Sequence, residues 1–402
     1  MRHGANGKNQ ECSEGPHVIL KALFERWGEN SMILIVNKMY PPEIGGVEVV
    51  TKVVADTLSE KGHKVVVLTF NRENKFVEEK IGNVDVLRLP SIFVKNSIRI
   101  SPVYGKIFRE LVGTAEKVIF NFPSGFPELF AKLYEKIPVK KICFYHADVV
   151  RYGAVGWLYN KFLVQRFLKG MDVIIASSPN IVKTSRFLKR YEDKVKVIPL
   201  FVDVTHFYPR DPQIVREKLI PLFGKKPRKI VMYVGRLSKY KGLEYLINAM
   251  SFLDEKYGLV LIGEGPMKEK LLNVVRRSKL EDRVLFLKHV PYEELPYYYS
   301  AADVFVLPSI SRAEAFGLVV LEAMACGTPV ITTELGTGTS YHNVHGKTGL
   351  VVPPRDSKKI ASAVEEICEG DWKNTHKLVI TARVKDFSLE RFKNSIMEVL
   401  ER

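Results

Sequence analysis

The stretch ADVFVLPSISRAEAFGLVVLEAMACGTPVITT, residues 302 to 333, contains a β-branched run at 303–307, a loop, an apolar helix from about 317 to 326 closed by Gly327, and a second β-branched run at 329–333. Strand, helix and strand joined this closely make a βαβ unit, whose two strands lie parallel with a right-handed crossover. In open sheets built this way ligands bind beyond the carboxyl ends of the strands. The loop between Pro308 and Phe316 is therefore the first place to look for chemistry.

Outward from this unit the same alternation continues in both directions. Toward the N-terminus it predicts strands near 229–234, 258–262 and 283–288 and helices near 242–252 and 266–278. Toward the C-terminus a strand is expected near 349–352 and a helix near 356–369. An earlier series reads the same way, with strands near 32–37, 64–70, 84–89, 117–121, 141–145, 172–176 and 195–198 and helices near 46–61, 126–136 and 156–169. Between the series, residues 199–212 carry three prolines and no helical spacing, which reads as a linker. The expected architecture is α/β, with two doubly wound, Rossmann-like domains facing across a cleft. The boundaries expected are an N-terminal extension at 1–31, a first domain at 32–200, a linker at 201–212, a second domain at 213–385 and a final helical segment at 386–402.

A chain of 402 residues suits two domains with full cores, and 46% hydrophobic with 26% charged residues is ordinary globular composition. No apolar run approaches the roughly 20 residues that cross a bilayer. Cys12, Cys143, Cys326 and Cys368 are widely spaced, which argues against a disulfide framework or a zinc site and fits a reducing cytoplasm. Residues 1–200 hold 31 Lys and Arg against 20 Asp and Glu, whereas residues 201–402 hold 30 against 25. The first half thus faces something acidic, with nucleic acid, an anionic bilayer or phosphorylated substrates as candidates, or it is simply a basic solvated surface. Residues 1–16 are polar and Gly-rich, and the first convincing core strand starts at Met32.

Several motifs fail inspection. Gly346-Lys347-Thr348 lacks the first glycine of a phosphate loop, since that position is Tyr341; Gly263-Glu264-Gly265 lacks the third glycine of a dinucleotide fingerprint, since that position is Lys268. No two aspartates are separated by a single residue, and no His-Glu-x-x-His occurs, so neither a catalytic metal nor a cofactor is expected. His342 and His345, three apart in a Gly/Thr-rich loop, read as surface histidines.

The loops that remain fit one ligand. After the first strand, Gly45 and Gly46 allow close backbone approach just before a helix start, or simply make a tight turn. After the first strand of the second series, Arg236 and Lys241 stand beside a helix N-terminus, an arrangement suited to a diphosphate, with solvated loop cations as the alternative. Glu314 and Glu322 are eight residues apart, about 12 Å if both lay along one helix. That is too far for a retaining glycosidase pair at about 5–5.5 Å, yet suited to gripping two parts of an extended ligand.

GGVE at 45–48, GRLSKYKG at 235–242, GEGP at 263–266 and EAFGLVVLE at 314–322, followed by EAMACGTPVI, together resemble the retaining glycosyltransferases of family four, which have the two-domain GT-B fold. The resemblance runs from about Met32 to the C-terminus. It implies that Arg236 and Lys241 hold the donor diphosphate and that Glu322 holds the ribose. Glu314, with the backbone of Phe316 and Gly317, would hold the transferred sugar, and the segment from Val290 to Leu295 the base. His146, in FYHAD, matches the family's histidine near the donor sugar, and the last helix would cross back to the first domain.

The function expected is retaining transfer of a hexose from a nucleoside diphosphate sugar to a glycan or lipid-linked acceptor, without metal. TELGTGTS at 333–340 resembles members that use GDP-mannose or related sugars, with UDP-sugars as the alternative. The segments 91–112 and 151–170 mix aromatic and basic residues as a membrane-surface element does, which suggests a peripheral position on an anionic membrane; for 151–170 packing as a buried helix is an equal reading. A nucleotide-sugar epimerase or a non-catalytic nucleic-acid-binding protein are the other classes this sequence leaves open.

Overall fold

The structure is a computed structural model that describes residues 31–43, 45–95, 98–149, 156 and 159–401. The N-terminal extension up to residue 30, and residues 150–155 and 157–158 of the segment 151–170 and its approach, lie outside the described residues. The chain divides into two compact units: the first holds the residues up to Ala176 with Ser185–Ile198 and the end of the chain from Lys393, and the second holds Ser177–Thr184 and Pro199–Phe392.

In the first unit the strands are β1 (Met32–Val36), β2 (Lys64–Phe70), β3 (Val77–Ile81), β4 (Val84–Leu89), β5 (Phe93–Lys95), β6 (Ile98–Ile100), β7 (Ala115–Phe122), β8 (Lys140–Tyr145), β9 (Val173–Ala176) and β10 (Val195–Val197). Eight of them form one sheet in the order β10-β9-β8-β7-β1-β2-β4-β3, and β5 and β6 form a separate hairpin. MILIV of β1 is buried throughout, as a central strand covered by helices on both faces must be. Chain order reverses between β1 and β7, so the loops after these strands sit at the topological switch point. Among the described residues the only antiparallel pairing in this sheet is β3 on β4. Its sequence VEEKI carries the charges that protect a sheet edge, and those same charges hide it from a search for apolar runs.

Part of the segment 91–112, expected at a membrane surface, supplies core residues. Residues Tyr104–Val112 form a helix in which Tyr104, Ile107, Phe108, Leu111 and Val112 are buried. The rings of Tyr104, Phe108, Phe120 and Tyr134 pack in stacked and tilted pairs, with centroids 4.6–6.0 Å apart. Phe167, from the segment 151–170, joins them at 5.5 Å from Phe120. From Lys393 onward the last helix, Leu389–Glu401, is tied to this unit: Lys393 pairs with Glu60 at 3.0 Å, and Lys117 Nζ donates to the carbonyl of Leu400 at 2.5 Å.

The second unit has a fully parallel sheet of β11 (Lys229–Val234), β12 (Tyr257–Ile262), β13 (Val284–Leu287), β14 (Val304–Leu307), β15 (Val330–Thr333) and β16 (Gly349–Val352), in the order β13-β12-β11-β14-β15-β16. Here the reversal falls between β11 and β14. The segment read as a linker, 199–212, is packed into this unit: Val202 donates to the carbonyl of Phe387, and the buried ring of Phe207 meets Tyr292 and Tyr299. The thiols of Cys143, Cys326 and Cys368 are free and buried. Among the described residues no helix is long and apolar enough to cross a membrane.

One carboxylate organises the start of β11. Asp303 accepts from the Ile230 amide at 2.6 Å and from both terminal nitrogens of Arg216 at 3.1 Å, while Arg216 also reaches the carbonyls of Ala301 and Arg228. Asp303→Ala leaves a mostly buried guanidinium and a strand amide without their acceptor, so it is expected to cost about 3 kcal/mol of stability. The midpoint of chemical denaturation at constant m-value measures this.

Candidate active site

In the second unit the loops after the two switch-point strands meet. Gly242, at φ +65°, has no room for a side chain: a Cβ there would lie 2.3 Å from the carbonyl oxygen of Pro308. This contact presses the loop after β11 onto the loop after β14. It sets Lys241 Nζ 2.5 Å from Glu314 Oε2, with both side chains about nine-tenths buried. Ser309 Oγ donates to the same carboxylate oxygen at 2.9 Å. Burial works against the Lys241 ammonium, but attraction to Glu314, then to the Tyr233 and Tyr240 hydroxyls, holds its pKa above the ordinary lysine value.

Two further loops brace this pair. Gly263 packs so closely that a Cβ would stand 2.2 Å from the Gly235 oxygen, and Leu237 exchanges backbone hydrogen bonds with Glu264 and Met267. On the other side Gly338 donates to the Ala315 carbonyl, and Thr337 Oγ1 donates to that of Glu314 at 2.8 Å. Gly317, at φ +79°, turns the chain into the helix Leu318–Ala325, whose first amides have no acceptor within the helix. A cation, a carboxylate and a helix N-terminus thus converge at the carboxyl ends of β11 and β14, an arrangement that can hold an anionic group and a polyol together.

The predicted residues fall out as follows. Lys241 and Glu314 are brought into direct contact, where the sequence placed them at separate parts of a ligand. Arg236 is exposed on the same loop and pairs with no carboxylate among the described residues. Phe316 is buried, and its carbonyl accepts from His342 Nε2 at 2.5 Å. His342 is therefore corrected from a surface histidine to a buried support of the helix start, its pKa pushed down to about 4 by burial; His345 is exposed as expected. Glu322 sits on the helix and accepts from the Tyr299 hydroxyl at 2.6 Å. Burial raises its pKa to about 7, partly offset by that hydrogen bond. Val290 is buried, and Leu295 opens the helix Leu295–Ala301.

In the first unit, His146 follows β8 and is 9% exposed. Asn121 Nδ2 donates to the Val36 carbonyl, so its Oδ1 faces His146 Nε2 at 2.8 Å, and the imidazole proton sits on Nε2. Burial, helped by Lys38, lowers the His146 pKa to about 3, so the ring is neutral with Nδ1 as its acceptor. Gly46 starts the helix Gly46–Glu60, and Gly45 is its N-cap in an extended conformation that any residue adopts. The constraint at Gly45 is steric: a Cβ would lie 2.2 Å from Glu48 Oε2. The space expected for a substrate holds this chain's own carboxyl group. Ser309, Thr337, Tyr299 and Asn121 escaped the sequence reading. Ser309, directly after VFVLP, and Asn121, at the end of β7, occupy strand-end positions that the rule for open sheets would have flagged.

Family models match both parts of the chain. The description "Glycosyltransferase Family 4" matches residues 44–206, and "Glycosyl transferases group 1" matches residues 216–385. A D-rhamnosyltransferase of Pseudomonas aeruginosa is 36% identical over 267 residues, 66% of this chain and 67% of that protein. The O-antigen chain mannosyltransferase C of Escherichia coli is 29% identical over 338 residues, 83% of this chain and 86% of that protein. Among solved structures, the Anabaena protein HepE in complex with UDP and glucose shares the fold with a TM-score of 0.73 at 20% identity, covering 92% of this chain and all of that one.

Removing one member of the buried pair strands the other. Lys241→Met and Glu314→Gln should each cost about 3–5 kcal/mol, and the double variant should recover most of that loss. Denaturation of the three variants tests this; additive losses would show that the two groups do not interact. A second expectation concerns Glu322, whose folded pKa of about 7 lies above its ordinary value of 4.5. The folded state holds the extra proton between these values, so the favourable contribution is complete below pH 4.5 and is lost as pH rises through about 7. The stability of Glu322→Gln relative to the native chain should therefore increase from pH 4.5 to about 7 and level off above it. A difference independent of pH would contradict the assignment.

Proposed function

The chain belongs to the family four glycosyltransferases of the GT-B fold, and from that premise we propose that it transfers a hexose from a nucleoside diphosphate sugar to a glycan or lipid-linked acceptor with retention of configuration. The observation that carries the donor assignment is the buried Lys241–Glu314 pair at the switch point of the second sheet, beside the first-turn amides of the helix Leu318–Ala325. Negative charge grows on the diphosphate as the sugar leaves, and Lys241, Arg236 and those amides stabilise it without a metal. Glu314 and the Phe316 and Gly317 backbone orient the sugar, Glu322 takes the ribose hydroxyls, and the segment from Val290 to Leu295 takes the base. His146 serves the sugar from the first unit as a neutral acceptor through Nδ1, since its Nε2 proton is committed to Asn121.

A GDP-mannose type of donor is favoured by the loop 333–340 and by relatives named for mannosyl and D-rhamnosyl transfer. The excess of basic residues before residue 200 supports an anionic membrane surface as the place of the acceptor. The aromatic residues contribute little to that reading, because most described ones in the two candidate segments are buried; Phe162, 55% exposed, is the exception.

Thermal stabilisation by GDP, UDP and ADP tests the donor class. A ligand at 100 times its Kd adds about 2.7 kcal/mol, and GDP is expected to give the largest shift. Turnover should persist in excess EDTA. Arg236→Ala should lower kcat roughly 100- to 1000-fold, as loss of one transition-state donor does, and a change confined to KM would reduce Arg236 to a binding role.

A further inference from the structure

Arg312 stands two residues before Glu314 on the same loop, and the reaction scheme above gives it no part. Its Nη1 reaches across to the loop after β15, where it donates to the carbonyls of Leu335 at 2.9 Å and Gly336 at 3.2 Å, and to the Thr184 hydroxyl at 2.9 Å. Thr184 ends the short helix Pro179–Thr184, which belongs to the second unit, and it donates in turn to the Gly336 carbonyl at 2.6 Å. Asn180 of that helix donates to the Thr337 carbonyl and to Ser340 Oγ, both at 3.3 Å. Glu334 accepts from the Gly336 amide at 2.7 Å and from the Ser340 hydroxyl at 2.9 Å. Gly336 itself is at φ +64°, and a Cβ there would crowd Arg312 Nη1 and Thr184 Cγ2, each at 3.0 Å. The turn at Gly336 is thus gripped from two sides.

We infer that Arg312 is a positioning residue for the sugar half of the donor, and that Thr184 completes its hold. This inference rests on the transferase reading given above. Just beyond the gripped turn, Thr337 Oγ1 and the Gly338 amide donate to the carbonyls of Glu314 and Ala315. Bonds at that end alone would let the loop pivot about them. Arg312 supplies a second point of attachment, so a closed ring of contacts runs from Arg312 through residues 335–338 and back to Glu314. The segment from Glu314 to Gly317 is thereby held in one orientation, and it carries the groups assigned to the sugar: the Glu314 carboxylate and the Phe316 and Gly317 backbone. The groups assigned to the nucleotide are held by other means. Glu322 is tied to the Tyr299 hydroxyl, and Lys241 is placed by the packing of Gly242 on Pro308. Loss of Arg312 therefore misplaces the sugar and leaves the nucleotide bound, and reactivity depends steeply on such placement.

Two measurements on the full chain test the inference: calorimetric binding of GDP and UDP, and turnover of GDP-mannose and UDP-glucose with water or methyl α-D-mannopyranoside as acceptor, read as nucleotide release. The nucleotide and donor that the native chain uses form the pair compared. Arg312→Met keeps an unbranched side chain and removes its donors, so kcat should fall roughly 100-fold, the scale on which a misplacement of about 1 Å acts. Nucleotide affinity should be unchanged. The three bonds named above leave a single nitrogen, so Arg312→Lys can remake part of the set and should recover roughly tenfold of the lost kcat, as a charged hydrogen bond does. Thr184→Val deletes one neutral hydroxyl at nearly constant shape and should lower kcat roughly fivefold, again without weakening the nucleotide. A native kcat in Arg312→Met, or nucleotide affinity that falls in step with kcat in Arg312→Met and Thr184→Val, overturns the positioning role while leaving the transferase reading intact. A native chain that binds neither nucleotide, or that turns over neither donor, overturns the transferase reading itself.

Discussion

Much of the second unit's local structure depends on keeping an ammonium and a carboxylate together out of water. An isolated buried charge costs several kcal/mol, and its partner offsets that only with good geometry and further hydrogen bonds. Lys241 and Glu314 come from loops 73 residues apart in the chain, so the geometry has to be built by backbone packing. The glycines do this. Gly242 against Pro308 and Gly263 against Gly235 are contacts in which backbone meets backbone, and Gly338 donates to the Ala315 carbonyl while the Phe316 ring fills the place of its missing side chain. Each replaces a flexible loop wall with a fixed one, and Ser309 and Thr337 then take up polar groups that the packing would otherwise strand. A site held this way is organised before any ligand arrives, which is the condition under which electrostatic stabilisation works best.

The architecture was largely legible because buried parallel strands are continuous apolar runs, and MILIV and VFVLP could hardly be anything else. What the sequence concealed was structure whose residues contradict their surroundings. β3 is charged because it lies at an edge, and the helix Tyr104–Val112 is aromatic and basic because one face builds the core while the other meets solvent. Aromatic residues beside lysines look the same in a membrane-facing segment and in an amphipathic core helix, since composition does not record which face each residue occupies. The site divides similarly. Lys241 stood out by its place after a strand and beside a helix start, and Glu314 and Glu322 as charges flanking an apolar helix, whereas the partners that fix Glu314 and Glu322 include small or aromatic hydrogen-bonding residues. Ser309, Thr337 and Tyr299 have no distinctive spacing, and only the fold brings them near.

Gly45 shows how a correct motif can carry an incomplete reason. Paired glycines before a helix suggest room for a ligand, and the room exists, but the carboxyl of Glu48 occupies it. That carboxyl lies in the first turn of the helix Gly46–Glu60, where the helix dipole favours negative charge, while burial raises its pKa. The two influences oppose each other.

The two sheets use the same switch-point geometry for opposite electrostatic ends. In the second unit the strand ends present charge, Lys241 with Glu314, and a helix start that favours anions. In the first they present a neutral imidazole, its tautomer set by Asn121, and amides already satisfied by Val36 and Phe122. A leaving diphosphate gains charge during transfer, so fixed positive groups belong where it sits. On the proposed role of His146, a sugar centre passing through an oxocarbenium-like state would become electron-poor, and a cationic histidine would oppose the reaction. Burial that drives the His146 pKa down to about 3 removes that opposition at every physiological pH. The buried histidine and the buried lysine are thus two outcomes of one variable, the presence or absence of a carboxylate within hydrogen-bonding distance.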